Sequence, residues 1–195
     1  MALEEYRVEP ITFASARPIL RTWHYDDYVN VQCKYAFGLF APGKFGIQQL
    51  VGVCVYTLPA GPTAGKSYCP EAPEKVLELR RLACIDDTPK NAESFFVSKT
   101  LKWLKKNTDY KIIISYADPE QGHTGVIYKA TNFELVGMTH PGTALEYGGK
   151  QSHVRTATML DRPYGRKIHE LLQQKSDLVK KIALKSKYIY LYRLC

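Results

Sequence analysis

The sequence predicts an α/β fold in which a mixed, mostly antiparallel central sheet is flanked by helices. Three observations predict it. Ile112–Ile114 is an unbroken apolar, β-branched run, as expected of a strand covered on both faces. It opens at once into Ser115, Tyr116 and Asp118. Three further β-rich runs, Tyr35–Phe40, Leu50–Leu58 and Val76–Ile85, precede it with loops between them. Segments with helical spacing supply the covering layers: Ala14–Trp23, and the stretch carrying Phe96, Val97, Leu101, Trp103 and Leu104.

Taken in order, Tyr6–Phe13 alternates and reads as a first strand. In Ala14–Trp23 the apolar positions are Ile19, Leu20 and Trp23, and Pro18 marks a helix start within it. The polar, aromatic run His24 to Tyr28 follows. Pro42, Gly43 and Gly46 make Ala41–Gln48 a hairpin-type loop. The loop Pro59–Pro73 is long for a compact domain. Its segment Gly61–Ser67, GPTAGKS, lacks the four-residue spacing and the following helix of a phosphate-binding loop. In Val76–Ile85, alternation puts Leu77, Leu79 and Arg81 on one face and Glu78, Arg80 and Leu82 on the other. A β-bulge would undo that separation.

Thr88-Pro89 would cap and open the next helix, which Lys102, Lys105 and Lys106 close favourably for its dipole. A short helical segment near Thr124–Ala130 and a strand at Phe133–Met138 come after the isoleucines. The Gly-rich segment Pro141–Gly149 leads to a basic stretch, Arg162–Lys187, helical by composition. Alternating tyrosines make Lys187–Leu194 a final strand. There is no internal repeat and no low-complexity segment.

One domain accommodates 195 residues, and 45% hydrophobic content suffices for a core. No run approaches the roughly 18 apolar residues of a membrane helix. The start, MALEEYRVEP, has acidic residues and no apolar centre, so no secretory signal is expected. Cys33, Cys54, Cys69, Cys84 and Cys195 are odd in number and form no CxxC pair. That argues against a disulfide framework or structural zinc, and for a reducing cytoplasm. Formal net charge is +8. Arg162–Lys187 alone has eight Lys/Arg against Glu170 and Asp177, which suits a polyanion, nucleic acid above all. The plainer reading of such a run is a solvated helix face.

The element order resembles the Gcn5-related acyltransferase (GNAT) fold, closed by a basic C-terminal helix and a strand. A sharper resemblance lies in the residues. Ser115-Tyr116-Ala117-Asp118 precedes Gly122-His123-x-Gly125-x-Ile127-Tyr128-x-Ala130-x-Asn132-Phe133 and Gly137. His24-Tyr25 stands upstream, Glu78-Leu79-x-Arg81-Leu82 in the middle, and Gly149, His153 and Arg155 downstream. This set, spanning Trp23 to Arg155, resembles the bacteriophage Mom family of DNA-modification proteins. The resemblance implies a phage or prophage enzyme that converts adenine in double-stranded DNA to N6-carbamoylmethyladenine. That product blocks restriction in the host cytoplasm. Two other readings stand beside it: a CoA-dependent N-acyltransferase, and a non-catalytic DNA-binding protein.

The chemistry sets what to look for. The adenine N6 lone pair is delocalised, so its modification needs an activated donor and usually a base. The target base must also leave the stack and enter an aromatic pocket. Tyr25, Tyr116 and Tyr128 are candidates for that pocket, each with core packing as its alternative. Asp118 is expected as general base or donor-orienting group, or as a turn cap. His123 reads as acid/base, metal ligand or anion-binding donor. His24, Asp118 and His123 would form a 2-His-1-carboxylate set that suits non-haem iron, a metal the resemblance brings with it. Ser115 reads as a donor contact or a plain strand end. Arg81 is expected as a clamp on donor or phosphate, or in a surface ion pair, with Glu78 on the other face. Asn132 suits bidentate reading of adenine, or the end of a helix. His153 and Arg155 are expected to face substrate or DNA. Arg162, Arg166, Lys167, Lys180 and Lys181 are expected to grip DNA phosphates.

One segment departs from a CoA-binding acyltransferase. Ala83–Asn91 has no glycine, two acids, and a proline that removes a backbone donor. Acetyl-CoA is therefore disfavoured, and the expected donor carries another group, a glycine-derived one being a candidate.

Overall fold

The structure is a computed structural model that describes residues 3–24, 32–43, 47–61 and 63–194. Its strands are β1 (Arg7–Ile11), β2 (Cys33–Pro42), β3 (Gln48–Thr57), β4 (Val76–Cys84), β5 (Ile112–Ala117), β6 (Glu134–Met138), β7 (Gly142–Tyr147), β8 (Lys150–His153), β9 (Lys180–Leu184) and β10 (Tyr188–Arg193). The helices are α1 (Phe13–Trp23), α2 (Ala64–Tyr68), α3 (Ala92–Asn107), α4 (Val126–Ala130) and α5 (Pro163–Gln173). They fall into two compact units. The larger runs to Ala117 and takes in Gly125–Gly137 and the chain from Ile189 on; the smaller holds Asp118–Thr124 and Met138–Tyr188.

In the larger unit seven strands form one sheet in the order β1-β2-β3-β4-β5-β10-β6. β1 to β4 pair antiparallel, and β4 meets β5 in parallel. On one face, α1 buries Ala16 and Leu20 against Ala36, Val53, Val55 and Ala83. On the same face Ala64 and Tyr68 of α2 cover Val76, Ile112, Ile114 and Leu191. The other face belongs to α3, where Tyr56 Oη is 2.6 Å from Thr100 Oγ1 and Trp103 packs on Phe37. That hydrogen bond satisfies a fully buried hydroxyl, which would otherwise cost about 1–3 kcal/mol. The isoleucine run is the fully buried strand expected, all three residues being 7% exposed or less.

The register of β3 on β4 slips by one residue between Val55–Arg81 and Tyr56–Leu79. Arg80 is the extra residue of a β-bulge. Val55 and Thr57 share a face, and their partners Arg81 and Glu78 therefore share it too. The strict alternation that separates Glu78 from Arg81 in the sequence does not hold.

Local chemistry moved other boundaries. Thr12 caps α1, accepting from Ser15 N at 3.1 Å, so Pro18 lies inside the helix rather than at its start. Thr88 does not cap α3: its hydroxyl donates to Ile85 O, and Asn91, at φ 69°, precedes the helix. The short α2 forms inside the long loop before β4.

The smaller unit is a three-stranded sheet ordered β8-β7-β9, with Leu145, Ala157, Ile168, Leu171 and Val179 as its core. Gly148 and Gly149, at φ 60° and 75°, make the turn between β7 and β8, the geometry of a two-residue hairpin. The segment Arg162–Lys187 is not one helix. α5 ends at Gln173, Lys175 takes φ 51°, and Lys180–Leu184 pairs with β7 as a strand. The alternating apolar residues Ile182 and Leu184 fit a strand, whereas composition alone suggested a helix.

Candidate active site

The parallel ladder of β4 and β5 stops at Glu78–Ile114. Beyond it β4 stays with β3 while β5 runs on to Ala117, so the two strands part. Ser115 is at the fork, 1% exposed, and its Oγ donates to Leu79 O at 2.9 Å. It ties the two strands together, as a strand-end residue.

Next to the fork, on the face carrying α1 and α2, a charged and phenolic cluster collects. Glu78 is 3% exposed. Its Oε1 accepts from Arg80 Nη1 at 2.7 Å and its Oε2 from Ala60 N at 3.1 Å. A buried carboxylate needs such partners. Arg80 remains about one-third exposed, so its guanidinium also meets solvent. Tyr116 stands two residues past Ile114 on this face, and burial, with the charge of Glu78, pushes its phenol up to about 12. Tyr116 is therefore a hydrogen-bond donor across the neutral pH range. Burial also raises the Tyr68 phenol of α2. Arg81 is 8% exposed, and its Nη1 donates to Arg80 O. A carboxylate, a guanidinium and a protonated phenol thus border a gap in the sheet. Together they can accept a proton, hold a carbonyl or anionic group, and donate a hydrogen bond.

Other expected residues of the larger unit take quieter positions. Tyr128, on α4, is half-buried, with ring centroids 5.4 Å from Phe133 and 5.1 Å from Tyr190. Asn132 is exposed at φ 63° just past α4, the helix-ending conformation. His24 ends α1, its N–H donating to Leu20 O. Tyr25 lies outside the described residues.

In the smaller unit Asp118 is 9% exposed. Its Oδ1 accepts from Glu120 N at 3.0 Å, and its Oδ2 is 2.7 Å from Lys187 Nζ. This is the turn-capping alternative, reinforced by an ion pair. His123 is exposed, and its N–H donates to Asp118 O. His153 Nδ1 accepts from Arg155 N, and both side chains are exposed. Arg162, Arg166, Lys167, Lys180 and Lys181 are all exposed. They do not form one face. Lys181 pairs with buried Leu145, whereas Lys180 pairs with Glu146, so the two lysines address opposite faces of the small sheet. Arg166 Nε is occupied by Leu160 O.

Iron has no fitting donor set at Asp118. Both carboxylate oxygens are engaged, and an ammonium stands where a cation would bind. Among the described residues no three His, Cys, Asp or Glu side chains gather as metal ligands.

A pocket of about 390 Å³ opens beside the β4–α3 turn, lined by Asp86, Lys90, Asn91, Glu93, Val126 and Ile127 among others. Its acids outnumber its one lysine. Burial, with Glu93 nearby, raises the Cys84 thiol on its wall to about 12. The thiol is thus neutral and a poor nucleophile.

Arg80 and Tyr68 were missed in the sequence. Arg80 gave no local signal, because alternation puts it and Arg81 on opposite faces and only the pairing of β4 with β3 shows the bulge. Tyr68 gave none, because its partner strands are remote in the chain.

Among the described residues no helix is long and apolar enough to cross a membrane. The fold is that of GNAT acetyltransferases. Arabidopsis thaliana NAA60 in complex with acetyl-CoA superposes with a TM-score of 0.56 at 10% identity, covering 96% of this chain and 98% of that one. A Bacillus subtilis acetyltransferase in complex with CoA gives 0.54 at 13% identity, covering 97% and 99%. A GNAT family acetyltransferase from Elizabethkingia anophelis with acetyl-CoA bound gives 0.54 at 8% identity, again covering 97% and 99%. In sequence, the methylcarbamoylase mom of Escherichia phage Mu is 32% identical over 162 residues, 82% of this chain. The match spans 64% of that protein's length. The Mom protein family matches residues 5–195, and the chain belongs to that family.

Proposed function

We propose that this protein is a phage DNA-modification transferase that places a carbamoylmethyl group on adenine N6 and so shields DNA from restriction in the host cytoplasm. The observation that carries the reading is the buried Glu78 carboxylate at the fork of β4 and β5, flanked by Arg80 and Tyr116. The phage Mu relative, a methylcarbamoylase, supports the choice of group.

In this reading adenine N6 attacks the methylene carbon of an activated carbamoylmethyl donor. A carbon–nitrogen bond forms, the bond from carbon to the leaving group breaks, and the leaving group keeps the electron pair. The N6 proton passes to Glu78. Arg80 and the Tyr116 hydroxyl hold the donor's carboxamide oxygen, and Arg81 completes the cationic wall. Asp118 positions: its ion pair with Lys187 and its bond to Glu120 N fix the chain leaving β5. The exposed cations of the smaller unit add attraction for duplex DNA. The donor is a glycine-derived species rather than acetyl-CoA, since the pocket beside the β4–α3 turn sets Asp86 and Glu93 against Lys90. Like charges there oppose a diphosphate.

The fold favours one second reading, a CoA-dependent N-acyltransferase. Thermal unfolding with and without acetyl-CoA separates the two: a saturable rise in melting temperature supports the acyltransferase. DNA from cells making the wild-type chain, compared by nucleoside analysis with DNA from cells making Glu78→Gln, tests the first. Modified adenosine only in the wild type supports it. An unmodified pool despite folded, DNA-binding protein supports a non-catalytic binder.

A further inference from the structure

The solvent stripe of α3 has a role in none of the above. Lys99, Lys102, Lys105 and Lys106 are all exposed, and the helix has no acid after Glu93. Lys99 and Lys106 lie four residues before and three after Trp103, so they flank its ring on the helix surface. Lys99 Nζ also lies 5.1 Å from the centroid of Phe95. Trp103 is only half-buried, and beside it stands Tyr35 of β2, ring centroids 5.9 Å apart. Tyr35 in turn meets Tyr110 edge-on at 6.1 Å. Exposed Lys34 adjoins Tyr35 in the chain. Asp109, the acid next to Tyr110, is already held by Lys75.

Lys99 and Lys106 therefore flank one of three half-exposed aromatic rings on the sheet face opposite Glu78, and Lys102 lies one turn from each of them along the helix. A duplex hides its base faces and offers an aromatic trio nothing. An unpaired strand offers both phosphates and base faces, and sequence-tolerant sites for such strands combine a cationic track with stacking rings. Successive lysines on this stripe are three or four residues apart, a rise of about 5–6 Å, and flexible side chains bring that within reach of successive phosphates.

We propose that the outer face of α3, with Tyr35 and Tyr110, is a binding site for an unpaired polynucleotide strand. Phosphates lie along Lys99, Lys102 and Lys106, and a base stacks at the Tyr35–Trp103–Tyr110 corner. The site is separate from the reaction proposed above, and its test uses oligonucleotides whether or not they are ever modified.

The test is fluorescence anisotropy with a labelled 12-nucleotide DNA strand, the same strand as RNA, and its DNA duplex, over a salt series. Lys99→Gln/Lys102→Gln/Lys106→Gln changes only surface side chains. It should flatten the salt dependence of strand binding by a slope of about 2. Tyr35→Leu/Tyr110→Leu, with folding checked by circular dichroism, should weaken strand binding about tenfold and leave duplex binding unchanged. Loss on the DNA strand, the RNA strand or both supports the site, and the more affected strand names its source. Strand affinity and salt slope unchanged in the lysine variant would overturn it. Equal weakening of strand and duplex by the tyrosine variant would also overturn it.

Discussion

Arg80 Nη1 sits 2.7 Å from Glu78 Oε1, and the carboxylate side chain is 4% exposed while the guanidinium side chain is 32% exposed. The pair is asymmetric. Removing Arg80 strands a buried charge, whereas neutralising Glu78 leaves Arg80 free to reach solvent. Arg80→Leu should therefore destabilise the fold by about 2–3 kcal/mol. Glu78→Gln keeps one acceptor and opposes its amide N–H to the second donor, Ala60 N or Arg80, so it should cost about 1–2 kcal/mol and lower product formation about 10²–10⁴-fold. Urea unfolding and product yield on the two variants check both halves.

Asp118 and Lys187 make a second pair with a different expectation. The ammonium is 41% exposed, so the ion pair itself contributes about 1 kcal/mol or less. Asp118→Asn keeps an acceptor for Glu120 N, and Asp118→Ala loses it, at a further cost of about 1 kcal/mol. If Asp118 positions, then Asp118→Asn, Lys187→Met and the double variant should lower activity by similar small factors. A proton-accepting Asp118 would instead make Asp118→Asn inactive while Lys187→Met stayed active. Steady-state rates on the three proteins decide it.

Gly125 is constrained twice. Its φ is +78°, and a Cβ there would fall 2.2 Å from the ring of Tyr190. Tyr190 stacks on Tyr128 and cannot move aside without breaking the aromatic group that holds α4 to β10. Gly125→Ala should cost about 3 kcal/mol or more, read as a loss of melting temperature.

Alkaline pH should destabilise the protein. Burial raises the Cys54 thiol to about 12, burial with Glu93 does the same for Cys84, and burial with Glu78 does so for Tyr116. All three are raised acids, protonated in the folded state where the unfolded chain has already ionised. Their contribution is complete below about pH 9 and lost as pH rises through 12. Unfolding free energy should fall between pH 9 and 11, and less steeply in Cys54→Ala/Cys84→Ala.

The strands β3 and β5 were legible because burial on both faces leaves an apolar run that needs no long-range knowledge, and β10 was legible from its alternating tyrosines. The fork was not, because it depends on a bulge at Arg80 that only pairing with Val55 and Tyr56 reveals. Asn132 illustrates a choice chemistry alone left open: adenine reading and helix ending both suit the side chain, and the positive φ gives its backbone the helix-ending conformation. The β7–β8 hairpin was legible in principle, since Gly148-Gly149 between alternating segments is a turn signal. The strand β9 was obscured by lysines whose charge suggested a helix face.

Nucleoside mass spectrometry of plasmid DNA from cells producing the chain reads out the proposed reaction itself. Wild type should give an adenosine species heavier by one carbamoylmethyl group, absent with Glu78→Gln. The same species at wild-type level in the Glu78→Gln sample would contradict the assignment of the proton acceptor. DNA without any altered adenosine, from cells in which the folded protein binds DNA, would contradict the proposed reaction.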